Sequence, residues 1–244
     1  MKIFISKRFM IYAFIPARSG SERLTNKNIS MLKNKRLFEW SVEFANKLEE
    51  VDKIIFSSDS GQYIDLCENL KLKKELIIDK RDKKNSSSQV RIFDYLKSDF
   101  LTNNNYLTEN DSILMLLPTQ PFRSLSQVKE MIDYYKKDKY NIFSCREYSF
   151  PLSFSFEISS EEFYKPVFDN SPLVTGDTRS QDQKIYYHPD GSIYLVSVSS
   201  LKRDNISIYH NARPYVLNNK YYVDINNESD LLIAESLNSE VIDK

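Results

Sequence analysis

The chain has two histidines, two cysteines, four glycines and one tryptophan among 244 residues. His188 and His210 stand apart, each without a partner in view, so imidazole-centred catalysis has no constellation to work from. Both are expected to be structural. Cys67 and Cys145 are distant and lack C-x-x-C spacing, which argues against a redox or zinc motif and for reduced thiols. No apolar run approaches the roughly 20 residues that span a bilayer. The opening residues also lack the charged, apolar and cleavage regions of a leader, so a cytoplasmic protein without a membrane segment is expected. Lys plus Arg and Asp plus Glu balance at 34 each, giving no bulk charge to attract nucleic acid or an acidic membrane. Neither G-x-x-x-x-G-K-[ST] nor G-x-G-x-x-G occurs, which counts against the Walker A and dinucleotide classes. Where glycine is this scarce, Gly20, Gly61, Gly176 and Gly191 are expected at positions whose backbone geometry requires it.

The stretch that is present in their place is IYAFIPARSGSERLTNKN, residues 11–28. Ile11 to Ile15 is an apolar run of strand length, and Pro16 cannot donate in a ladder, so a buried strand ends there. Arg18, Ser19, Gly20, Ser21, Arg23, Lys27 and Asn28 follow. Backbone N–H groups of such a loop can turn toward an anion while the cations add charge, which suits a polyphosphate. Composition alone leaves an ordinary solvated basic loop equally open.

Beyond the loop, helix-spaced Leu37, Trp40, Phe44 and Leu48 predict an amphipathic helix over 36–49, with Trp40 in the core. Strands are predicted at 53–58, 75–79, 112–117 and 141–145, and a helix around Val128, Met131, Ile132 and Tyr135. Asp59 closes the second strand, where it is read first as a helix cap. Ser86, Ser87 and Ser88 precede apolar Val90, Phe93 and Leu96, and suit either a cap or a ligand contact at a helix start. This alternation argues for a doubly wound or related three-layer α/β sheet. Residues 146–187 change character to short aromatic segments, read as a projecting arm and a dimer surface, with folding back onto the domain as the alternative. At the end, Asn226 or Asn227 caps a helix with Leu231, Ala234 and Leu237 inward. Asp224 and position 226 lie two apart on an extended segment, so their side chains point the same way, an arrangement that suits a hard cation.

The motif I-P-A-R-x-G-S-x-R-x-x-x-K-N at 15–28 resembles the sugar-activating cytidylyltransferases, the family of CMP-sialic acid (acylneuraminate) synthetases. Pro118, Thr119, Pro121 and Arg123 match a further segment of that family, as do Arg179, Ser180, Gln181, Asp182, Gly191, Ile193 and Tyr194, and Asp224 near the end. The resemblance covers nearly the whole chain from residue 11. It implies an α/β/α nucleotide-diphospho-sugar transferase-like mixed sheet in a single domain over 1–244, with an arm at 146–187 that dimerises and helps close the sugar site.

The implied reaction is transfer of CMP from CTP to a nonulosonic sugar with release of pyrophosphate. The implied nucleotide site is Pro16, Ala17, Arg18, Ser19, Gly20, Arg23, Asn28, Arg81 and Ser88, with Arg18, Lys27 and Asp224 catalytic. Mg²⁺ would rest on Asp224 and Asn226, and the sugar acid on Gln120, Arg179, Gln181 and Asp190. Arg179 is the candidate for the sugar's carboxylate because a guanidinium holds it in a bidentate fork. Leu117, Ser153, Asp190 and Asn226 depart from the family pattern. They leave open a catalytically impaired nucleotide-binding homologue, beside a rival enzyme for the eight-carbon acid Kdo.

Overall fold

The computed structural model describes residues 9–203, 206–218 and 221–237. Strand β1 (Ile11–Pro16) is followed by a small hairpin of β2 (Met31–Leu32) and β3 (Lys35–Arg36), then helix α1 (Leu37–Lys47). Next come β4 (Lys53–Ser58), α2 (Gly61–Glu68) and β5 (Glu75–Lys80). Helix α3 (Ile92–Tyr95) runs through a π-helical turn at Leu96–Phe100 into α4 (Leu101–Asn103). After β6 (Ser112–Leu116), α5 (Leu125–Asp138) and β7 (Ile142–Glu147), an excursion carries β8 (Phe156–Ile158), β9 (Tyr164–Pro166) and α6 (Pro172–Thr175). It returns as the long β10 (Tyr187–Ser197), followed by α7 (Val198–Leu201), β11 (Arg213–Val216) and α8 (Glu228–Ser236).

The main sheet runs β11-β7-β10-β6-β1-β4-β5. β1 pairs in parallel with both β4 and β6, and β10 alone runs antiparallel, between β6 and β7. Strand periodicity sorts the core into two faces. Ala13, Ile15, Ile54, Phe56, Leu114 and Leu116 pack under α1, α2 and α5 through Phe38, Val42, Tyr63 and Met131. Tyr12, Phe14, Ile55, Ile113 and Met115 pack under α3, α4 and α7 through Tyr95, Leu101, Val198 and Leu201. This is a three-layer α/β/α mixed sheet, as the alternating pattern predicts.

The expected serine cap before residue 90 does not form. Ser86 is buried in a 3₁₀ turn at Lys83–Ser86, and α3 begins with Arg91 in the cap position and no side-chain cap. The wider turn that follows lets Leu96, Phe100 and Leu101 all face the sheet. Of the glycines, only Gly176 and Gly191 adopt the left-handed region, at φ 79° and 75°. Gly20 and Gly61 have open space where a Cβ would sit, so geometry does not demand glycine there. Trp40 is half-buried against Phe122, edge to face at 5.9 Å, in a third cluster that joins Leu32 and Leu37 to Ile225 and Ala234 of the C-terminal segment.

Arg123 braces the centre. Its guanidinium donates to the carbonyls of Ser192 at 3.1 Å and Leu117 at 2.6 Å and to Ser41 Oγ at 3.0 Å, and burial lowers its pKa. Lysine cannot reproduce that planar fork. Arg123→Lys is expected to lower unfolding free energy by about 2–4 kcal/mol, since buried acceptors left unmet cost about 1–3 kcal/mol each. Urea denaturation of the two proteins checks this.

Candidate active site

β1, β4, β5 and β6 end on one edge of the sheet, and the strand order reverses at β1, the place where open α/β sheets hold their ligands. The chain leaving Pro16 is tied along that edge. Ala17 donates its N–H to the Ser57 carbonyl at 2.8 Å and accepts from Ser58 Oγ at 2.7 Å. Asn28 is buried and donates to the Arg18 carbonyl at 2.8 Å. Tyr63, on α2, donates its hydroxyl to Asn26 Oδ1 at 3.2 Å, while Asn26 takes the left-handed conformation that turns the loop.

Asp59 holds the same loop. Its two carboxylate oxygens accept the Ser19 N–H at 2.8 Å and the Ser19 hydroxyl at 2.9 Å. The reading of Asp59 as a helix cap is therefore corrected: Ser60 caps α2 by accepting the Tyr63 N–H. Both donors of Ser19 thus serve Asp59 in this arrangement. The signal for Asp59 was its place at the end of β4; its partner, forty residues away, had no local trace.

Arg18, Ser21, Glu22, Arg23, Leu24, Lys27 and Asn226 line a cleft of about 230 Å³ over this loop. The C-terminal segment reaches it because the Ile225 N–H donates to the Thr119 carbonyl at 2.9 Å and Ile225 is fully buried. α8 then starts at Asn227, whose side chain accepts from the Asp230 N–H while the Asp230 carboxylate accepts from the Asn227 N–H, both at 3.0 Å. Arg23 and Lys27 both donate to Asn226 Oδ1, at 3.0 and 3.3 Å, and Asn226 Nδ2 donates to Asp224 Oδ2 at 2.7 Å. Arg18 and Lys27 of the loop and Asp224, remote in sequence, are thus brought into one electrostatic cluster. Burial holds the Lys27 ammonium below its ordinary pKa; Arg23 and Arg18 push the same way, and Asp224 and Asp230 oppose them. An arriving polyanion would relieve that penalty.

Other expected site residues are placed differently. Arg81 is buried in the wall, donating to the Ser57 carbonyl at 3.0 Å, with its guanidinium over the Tyr95 ring and its Nε buried without a partner. Ser88 is exposed outside the cleft. The Asp190 side chain is fully buried, accepting from Ser144 Oγ at 2.5 Å, the Ser192 N–H at 3.0 Å and Arg146 Nε at 3.0 Å, so it does not face a sugar. Gly191, next in the chain, takes a positive φ of 75°, and a Cβ on it would lie 3.7 Å from Leu117. Gln120 is also buried, donating to the Asp190 carbonyl at 3.0 Å and the Tyr222 hydroxyl at 3.4 Å. Arg179 lies exposed on the arm with Nε 3.2 Å from Asp182, away from the cleft lining. Gln181 lines a separate hollow of about 280 Å³ with Glu147, Tyr148, Lys184 and Tyr186. Sequence reasoning missed Arg146 and Tyr222, stacked at 4.1 Å beside Gln120. The end of β7 was the only clue to Arg146.

A Rossmann-like sheet carrying a cation-lined loop at its carboxyl edge defines a class of α/β protein built to hold phosphorylated ligands. The sequence model of the family described as Cytidylyltransferase matches residues 12–187, and the chain belongs to that family. It is 27% identical to the N-acylneuraminate cytidylyltransferase of Escherichia coli, over 93% of this chain and 52% of that protein. It is 25% identical to the CMP-N,N'-diacetyllegionaminic acid synthase of Legionella pneumophila, over 93% of this chain and 95% of that protein. A pseudaminic acid cytidylyltransferase of Campylobacter jejuni is 24% identical, over 91% and 94%. The chain spans about half the length of the first curated relatives it matches. Among solved structures, a CMP:2-keto-3-deoxy-manno-octonic acid synthetase complexed with CTP superposes with TM-score 0.61 at 14% identity, covering 93% of this chain and all of that one. A 4-diphosphocytidyl-2C-methyl-D-erythritol synthase of Anaerococcus prevotii gives 0.59 at 14%, covering 93% and 95%. These two likenesses show the fold.

Asp59→Ala releases Ser19 and is expected to weaken CTP binding about tenfold, the equivalent of about 1.4 kcal/mol. Asp59→Asn, which keeps one acceptor for the Ser19 N–H, should lose less. Isothermal titration of both variants with CTP distinguishes this from a global defect, which would lower the melting temperature of both.

Proposed function

We propose that the chain activates a nonulosonic, sialic-acid-like sugar by transferring CMP from CTP, with release of pyrophosphate. The observation that carries this reading is the cleft in which Arg18, Arg23 and Lys27 converge under Asn226 and Asp224. The sugar's anomeric hydroxyl attacks the α-phosphorus through its oxygen and releases its proton to solvent, while the bond to the bridging oxygen breaks and the pyrophosphate leaves with that bond's electrons. Such a displacement asks the protein mainly for alignment and fixed charge. Arg18 and Lys27 bind and neutralise the triphosphate, Arg23 adds to them, and the tether from Asp59 to Ser19 keeps the loop in shape. The printed names of the relatives, acylneuraminate, pseudaminic acid and diacetyllegionaminic acid, support the nine-carbon class over Kdo.

Mg²⁺ fits this site in part. It is commonly held by one or two carboxylates plus substrate phosphates, and the Asp224 carboxylate meets that need. Asn226 does not, because its carbonyl oxygen already accepts from two cationic side chains. A bound Mg²⁺ would supply charge to the phosphate oxygens. Asp224 is the residue that would hold it.

Incubation with CTP, Mg²⁺ and a panel of nonulosonic acids, with Kdo as comparison, is expected to release pyrophosphate with at least one nine-carbon acid and not with Kdo. Absence of release with every sugar overturns the reading.

The arm supports a homodimer as the working form. Phe156, Ile158 and Tyr164 on its own two-stranded sheet, and Phe163 in the connecting turn, are 51%, 73%, 59% and 71% exposed, an apolar surface that calls for a partner. The double substitution Ile158→Asp, Phe163→Asp is expected to convert a dimer to a monomer in sedimentation velocity. Two buried free thiols, Cys67 and Cys145, suit a reducing cytoplasm, and no helix among the described residues is long and apolar enough to cross a membrane.

A further inference from the structure

Asn226 links charges of opposite sign. Its Oδ1 lies 3.0 Å from Nη2 of Arg23 and 3.3 Å from Nζ of Lys27, and its Nδ2 lies 2.7 Å from Oδ2 of Asp224. Its backbone N–H is fixed by the Asp230 carboxylate at 2.8 Å. Only a group with an acceptor on one side and a donor on the other fills this position. A carboxylate would serve the two cations equally well. Toward Asp224, however, it would set oxygen against oxygen at that short distance, a contact that needs a cation or a proton between the two. The bridge is also the direct polar link from the loop to the segment that buries Ile225 and Ala234 beside Trp40.

We propose that Asn226 takes the place of a divalent cation in assembling this site: an amide bridge closes the C-terminal segment onto the phosphate-binding loop, so that the closed arrangement forms with no metal bound. Asp224 then remains the one carboxylate for a cation that enters with the nucleotide. The inference deepens the nucleotide-site reading and rests on it for the meaning of that cation, but it is testable with no nucleotide present.

The experiment compares the full chain with Asn226→Asp and Asn226→Ala, without nucleotide, in EDTA and across a Mg²⁺ titration. Melting temperature and the emission of the single tryptophan, Trp40, are the readouts, with far-ultraviolet circular dichroism establishing that each variant folds. The wild type is expected to give the same melting temperature and emission in EDTA and at saturating Mg²⁺. Asn226→Asp should show red-shifted emission in EDTA, with a saturable return and a rise in melting temperature as Mg²⁺ is added. Asn226→Ala should be red-shifted and indifferent to Mg²⁺. A Mg²⁺ response in the wild type, its absence in Asn226→Asp, or wild-type emission from Asn226→Ala in EDTA each overturns the proposal. A wild type that releases no pyrophosphate yet shows the expected cation pattern defeats the functional reading and leaves the bridge standing.

Discussion

Three cations gathered over one loop repel one another, and the site depends on how that repulsion is contained. The containment comes from chain segments remote in sequence. The corner after β4 fixes the loop through the backbone of Ala17, the Ser58 hydroxyl and the Asp59 carboxylate, while the segment before α8 supplies Asp224 and the Asn226 amide from the opposite side. The first fixes where the backbone runs, and the second offsets the charge that the backbone displays. Burial is the main reason the Lys27 ammonium lies below its ordinary pKa; Arg23 and Arg18 add to it, and Asp224 and Asp230 oppose it. An anion arriving beside that ammonium would favour its charged form.

The walls serve a different end. Arg123, Gln120, Asp190 and Arg146 are polar or charged, yet they spend their hydrogen bonds on one another and on backbone carbonyls. A buried network of this kind is stable only when its members are satisfied, and it then fixes one geometry rather than several. It supports the turn after β6 and the bulged entry to β10, where the register shifts between Pro189 and Tyr194.

The sheet was legible because its strands carry near-continuous apolar runs and its helices a 3.6-residue period, which are local signals. The anion-binding character of 17–28 was legible for a similar reason: cations, hydroxyls and a terminating proline lie within a dozen residues. What the sequence did not reveal was direction. Asp190 and Arg179 belong to the same family-like segment, yet one is buried against Ser144, Ser192 and Arg146 and the other lies exposed on the arm. Ser19 reads as a phosphate ligand, and in this arrangement both of its donors serve Asp59. The serines before residue 90 do not cap because the helix begins beyond them, at Ile92 with Arg91 in the cap position, while Ser86 is buried in a 3₁₀ turn.

β10 lies between β6 and β7, although it is made after the whole arm. Until residues 187–197 arrive, β6 therefore presents an open ladder edge and β7, whose partners are β10 and β11, has no strand to pair with. Across that interval the aromatic arm is already synthesised while its anchoring strand is not. The nascent protein consequently passes through a stage with open β-edges and uncovered rings in close proximity, the combination on which holding chaperones act and from which strand-exchanged oligomers arise. The same antiparallel strand that completes the mature sheet makes the timing of its own arrival a condition of correct folding.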